Sequence, residues 1–190
     1  MILRSNLETA GLLSTLRPLQ SRELSDRTMP LDSINQKRLN AAQGYVELGM
    51  FIEANDQIED IDPFCRCVPQ VLATRLAIYN GTQKWELARV VAKRLTEFNS
   101  GHSQWFISLA YATRRAESIE AARTILLQAL NKHPKDAIIH YNLACYECQL
   151  DDMPAARRYL KRAFELEPTC RAMALDDPDL EPLWLAMDLI

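Results

Sequence analysis

A 34-residue period constrains this chain more than any other feature. Stepping back from Ala156 in that interval reaches Ala122, then Ala88, then Ala54. The same step joins Phe51, Trp85, Ile119 and Met153, three places before each alanine, and Ile61, Leu95, Ala129 and Ala163, seven places after. Three apolar ladders at one spacing mark a stack of supersecondary units, none of which can bury its apolar face alone. The chain has only 5 glycines in 190 residues, which suits helices rather than turn-rich sheet. The expected fold class is therefore all-α, an α-solenoid of four antiparallel helix pairs closed by a C-terminal capping helix.

The ladders divide residues 33–170 into units at 33–68, 69–102, 103–136 and 137–170, with 1–32 as an extension and 171–190 as the cap. The first pair is expected over Ile34–Leu48 and Phe51–Asp60, with Gly49 supplying a left-handed residue at the turn. Asp62-Pro63 stops that unit, and Pro69 suits the first position of the next helix. The second pair is expected over Pro69–Asn80 and Lys84–Phe98, with Gly81 between them. The third covers Ser103–Arg115 and Ser118–Asn131, where both serines are natural N-caps. The fourth covers Ala137–Leu150 and Pro154–Leu166. In the cap, Leu180, Leu183, Trp184 and Met187 recur at helical spacing and are expected to cover the apolar edge of the last pair.

Leu143, Ala144, Ala156, Leu160, Ala163 and Pro168 in the fourth unit are matched by Leu109, Ala110, Ala122, Leu126, Ala129 and Pro134 in the third. This pattern resembles the tetratricopeptide repeat, in particular its small bacterial type. The first unit keeps Ala41, Ala42, Tyr45, Gly49, Ala54 and Ile58; the second departs, with Arg75 and Ser100 at two places of the pattern. The resemblance covers about residues 33 to 170. It implies a superhelix whose concave groove, lined by the first helix of each pair, holds a peptide or protein segment.

Carried onto this sequence, the groove candidates are Gln43, Asn80, Gln104, Ile107, Tyr111, Arg114, Arg115, Tyr141, Cys145 and Gln149. Tyrosine and arginine dominate interface energetics, so Tyr111, Arg114, Arg115 and Tyr141 stand out. Family members that grip acidic chaperone tails use a two-carboxylate clamp of lysine, asparagine and arginine. The corresponding places here hold Leu39, Gln43, Thr74, Gln104 and Ser108, so that clamp is absent. The implied function is a non-catalytic interaction scaffold. The alternatives are a dedicated secretion-type chaperone for one client, or a self-assembling subunit that dimerises through its first unit.

Charge is unevenly distributed. Residues 29–68 carry three basic and seven acidic side chains, and residues 171–190 one and five, a net of −4 for each. Residues 69–136 carry ten and five, a net of +5. Arg89, Arg123 and Arg157 recur at the repeat interval, which suggests either an anionic docking ridge or a solvated face; a formal charge of −3 overall favours the latter and excludes nucleic acid as the expected partner. Five cysteines, an odd number, suggest free thiols in a reducing compartment, and the chain is expected to be cytoplasmic. Cys145 and Cys148 form a CxxC within a helix, but Cys65 and Cys67 lie two units away and His140 is off the face of Cys145, so packing is favoured over zinc. No phosphate loop, dinucleotide fingerprint or nucleophile elbow occurs. No enzyme activity, cofactor, metal or membrane insertion is expected. In residues 1–28, Leu7, Leu12, Leu13 and Leu16 suit a short amphipathic helix, while Glu8, Glu23 and Asp26 argue against a transit peptide.

Overall fold

A computed structural model describes residues 30 to 185; the expectations for residues 1–28 and for Met187 lie outside them. The described helices are α1 (Ser33–Glu47), α2 (Phe51–Glu59), α3 (Pro69–Gly81), α4 (Trp85–Phe98) and α5 (Ser103–Ala116). They continue as α6 (Ile119–Lys132), α7 (Ala137–Gln149), α8 (Met153–Leu166), α9 (Cys170–Leu175) and α10 (Glu181–Leu185), with 3-10 turns at Pro63–Cys65 and Pro178–Leu180. Among the described residues there is no strand. The chain is an all-α protein of antiparallel helix pairs with a C-terminal cap. Its period is visible in the helix starts, since α2, α4, α6 and α8 open on Phe51, Trp85, Ile119 and Met153, each of them half-buried. The alanine ladder Ala54, Ala88, Ala122 and Ala156 is fully buried, as is the ladder Ile61, Leu95, Ala129 and Ala163.

Local chemistry explains where the helices begin and end. Asp32, Ser118, Asp136 and Asp152 each accept a hydrogen bond from a backbone N–H of the first turn, satisfying donors that have no partner within the helix. Ser103 does not cap: the N-cap of α5 is His102, without a side-chain bond, and the serine lies inside the helix. The turn residues are a further ladder. Gly49 (φ 72°), Gln83 (φ 56°) and Asp151 (φ 63°) are left-handed, at intervals of one or two periods. Gly81 is thus not the turn residue of the second pair; it is the last residue of α3, and Gln83 takes the left-handed position.

The described residues separate into two compact units, one ending at Lys84 and the other beginning at Trp85. In the first, α1, α2 and α3 enclose Leu39, Ala42, Ala54, Ile58, Ile61, Val71 and Ile78. Gly81 is required here by space: a Cβ on it would lie 2.1 to 2.7 Å from atoms of the Phe51 ring. The link after α2 is tied down by polar bonds. Asn35, buried, takes the Asp62 N–H on its Oδ1 at 2.9 Å, and Arg66 donates to the Ile61 carbonyl, to the Glu59 carboxylate and to the Glu59 carbonyl.

In the second unit, α5 packs against α4 and α6, and α7 against α6 and α8. Small residues allow the close approach: Ala110 meets Ala122 in one core with Leu126, Ala129, Leu143, Ala144, Ala156, Leu160 and Ala163. Helix α7 is the most enclosed element, with nine of its 13 residues buried. A helix buried on nearly every side needs cover beyond its pair partner. The cover comes from the segment after α9, which inserts Leu180 and Leu183 into the core and is held by Trp184, whose Nε1 donates to the Ala174 carbonyl at 3.1 Å.

Candidate peptide-binding face

The ten groove candidates have unlike surroundings. In the first unit, Gln43 on α1 is exposed and its Nε2 donates to Thr74 Oγ1 at 3.5 Å; Asn80 is half-buried near the end of α3. In the second unit, Gln104 is half-buried on α5, while Ile107 is only 4% exposed and belongs to the core. Ile107 is therefore a packing residue rather than part of an accessible face. Tyr111 meets the Trp85 ring edge-on, with centroids 5.7 Å apart. The guanidinium of Arg115, an exposed residue, lies 5.4 Å from the Tyr111 ring centre and 5.7 Å from that of Trp85. This cluster joins apolar area to charge in the way that interface anchors do.

The other four candidates are engaged by the chain itself. Arg114 at the end of α5 grips the Asp179 carboxylate with both terminal nitrogens, the Nη2–Oδ1 contact measuring 2.8 Å. Tyr141 donates its hydroxyl to Asp177 Oδ2 at 2.8 Å, the Cys145 thiol lies 3.5 Å from the same oxygen, and Gln149 Nε2 donates to the Asp179 carbonyl at 2.9 Å. Tyr141 and Cys145, nominally on the concave side of α7, are thereby buried. Sequence reasoning assigned Asp177 and Asp179 to the cap and missed their role on this face. The available signal was the pairing of an acidic terminal segment with the basic Arg114, but their separation along the chain hid it.

The electrostatics follow from this enclosure. The hydrogen bond to Asp179 holds Arg114 further above its already high pKa, outweighing desolvation. Burial, with Cys145 and Asp177 adding to it, pushes the Tyr141 hydroxyl upward, and burial likewise pushes the Cys145 thiol well above its usual range. Cys145, Asp177 and Asp179 are the ligand types a cation would use, and their ligand atoms lie within 4.8 Å of one another. They do not fit that role well, because a cation would have to displace the Arg114 guanidinium and compete with the Tyr141 hydroxyl. The CxxC is divided: Cys148 turns to Met153, its Sγ 3.9 Å from Sδ.

The arginine ladder is largely neutralised. Arg89 pairs with Glu86 at 3.0 Å and Glu117 at 3.3 Å, and Arg123 reaches the buried Glu147 at 2.8 Å. Arg157 is exposed and, with Lys161 and Arg171, lines an open cleft over Leu160, Phe164, Leu183 and Trp184. No described helix is long and apolar enough to cross a membrane.

Solved structures share this architecture. The chain aligns with the structure titled MamA MSR-1 C2 over 85% of its own length and 86% of the other, at a TM-score of 0.61 and 18% identity. MamA from Desulfovibrio magneticus RS-1, residues 41 to the end, aligns over 73% and 78%, at 0.62 and 14%. The hetero-tetramer of the APC/C, Cut9-Hcn1, aligns over 80% of this chain and 30% of that one, at 0.63 and 16%. The fold is that of the tetratricopeptide-repeat proteins. At these identities the likeness carries the fold alone. No family model matches the sequence, and no curated protein does.

Proposed function

We propose that this chain is a non-catalytic scaffold that binds a segment of another protein on the first-helix faces of its repeats, taken as 33–68, 69–102, 103–136 and 137–170, and that it works in the cytoplasm. The observation that carries the reading is the Trp85–Tyr111–Arg115 cluster. Two aromatic rings and a guanidinium on α4 and α5 form a contact surface of the composition that concentrates binding energy. Affinity capture tests it: a partner retained by the native chain should be lost with Tyr111→Ala/Arg115→Ala and kept with Arg157→Ala, all three proteins being equally folded. Equal retention by the double variant removes this surface from the proposal.

A second reading is favoured by one observation in the first unit. Ile34, Leu48, Ile52 and Phe64 are all more than half exposed, so the first unit leaves large apolar surface open to solvent at several places. Self-association through that surface would make the chain a subunit of a homo-oligomer. Light scattering distinguishes the two, since a monomer across the micromolar range excludes the homo-oligomer.

A further inference from the structure

The segment Asp177–Leu180 sits on α5 and α7 as a bound peptide would. A carboxylate lies in the fork of an arginine, a second carboxylate takes a tyrosine hydroxyl, a side-chain amide reads a main-chain carbonyl, and a leucine fills an apolar hole. The carboxylates are two residues apart, and the turn that presents them is set by the segment itself, with the Asp179 N–H donating to Asp177 Oδ1 at 2.9 Å. Without the segment, Tyr141 and Cys145 would open to water together with the hole left by Leu180. The Arg114 guanidinium would also lose its partner. The face therefore requires an occupant, and its chemistry specifies which.

We infer that the α5–α7 face is a receptor for an acidic segment of a partner protein with the pattern Asp-x-Asp-Leu, and that residues 177–180 hold it closed in cis as a competing copy of that ligand. The inference rests on the scaffold reading above and names the ligand class for one part of that surface. The cis segment has the advantage of attachment, being joined to α8 by ten residues, Glu167 to Asp176. The link includes α9, with Cys170 and Ala174 buried, so it holds its ligand at an effective concentration at or above the roughly millimolar level of a short flexible link, and a free peptide competes poorly until the cis contacts are weakened.

The test uses the full chain and a fluorescein-labelled peptide of residues 176–184, with anisotropy as readout. Asp177→Asn/Asp179→Asn should bind it at least about tenfold more tightly than the native chain does, because the cis competitor has lost both carboxylates. Adding Arg114→Gln should abolish that gain, and a peptide with the aspartates at positions 177 and 179 changed to asparagine should bind neither protein. Equal binding to the native chain and the double variant, or a gain that survives Arg114→Gln, overturns the inference and leaves residues 177–180 a structural cap alone. If the double variant does not fold, hydrogen exchange on the native chain decides. Amides of residues 176–185 should exchange faster when the unlabelled peptide is present at ~1 mM, the scale of the tethered competitor; unchanged exchange overturns the inference. These outcomes are independent of the Tyr111→Ala/Arg115→Ala capture, which alone decides the broader scaffold reading.

Discussion

The two compact units carry the same repeat chemistry and leave their equivalent positions in opposite states. In the first, Gln43 on α1 is exposed. Two of the residues that continue its ladder on later first helices are Ala77 and Tyr111, and the fourth is Cys145, which in the second unit is buried beneath Asp177. The first unit exposes large apolar side chains such as Ile52, at 77%, whereas α7 in the second hides nine of 13 residues. A repeat interval assigns a residue to a helix face; whether that face meets water depends on what else the chain lays over it.

The comparison breaks most visibly if the second unit tolerates loss of core volume. Leu126 is completely buried, and Leu126→Ala should lower stability by about 2 to 5 kcal/mol in chemical denaturation. A loss in the range of an exposed site would mean that the assigned core face of α6 is wrong.

Within the first unit the most sensitive point is steric rather than apolar. Gly81→Ala places a methyl group against the Phe51 ring and should cost about 1 to 3 kcal/mol, with part of the loss recovered by pairing it with Phe51→Leu. If the single variant is as stable as the native chain, Phe51 does not pack on that glycine.

Alkaline titration sharpens the contrast through the covered face of α7. The unfolded chain releases the Cys145 proton near pH 9.0 and the Tyr141 proton near 10.0, while burial keeps both protonated well above those values in the folded unit. Stability contributed by these neutral groups is complete below about pH 9 and is lost as pH rises through the folded values, because only the unfolded state gives up its protons. The melting temperature should therefore fall as pH rises above about 9 and more steeply above about 10, and Tyr141→Phe should make the fall above pH 10 shallower. A slope unchanged by the substitution would show that Tyr141 is not the group responsible.

The smallest effect is expected at the exposed surface of the first unit. Ile52→Ala should change stability by no more than about 0.5 kcal/mol, the ordinary range for surface positions. A larger loss in dilute solution would mean that Ile52 is covered, and its dependence on protein concentration would identify a second copy as the cover.

Much of this was legible because a period carries its own physics. Apolar residues recurring every 34 places must occupy equivalent sites in stacked units, so Ala54, Ala88, Ala122 and Ala156 could be assigned to the core, and helix limits such as Phe51, Trp85 and Phe98 fell within a residue of where they are. The turn was less legible: glycine suggested position 81, but the left-handed residue is Gln83, since the register of the preceding helix outweighs the preference of one residue. Ser103 failed as a cap for a related reason, as an N-cap requires extended backbone and the serine is already within α5.

The sequence by itself determined the helical pairs, their order and the apolar faces they bury, because those depend on spacing within a local window. Only the tertiary structure decided that Arg114, Tyr141, Cys145 and Gln149 meet Asp177 and Asp179, partners 30 to 65 positions apart along the chain. No local rule predicts such a pairing, since contact between a terminal segment and a distant helix face is fixed by how the intervening pairs stack and not by any period in the chain.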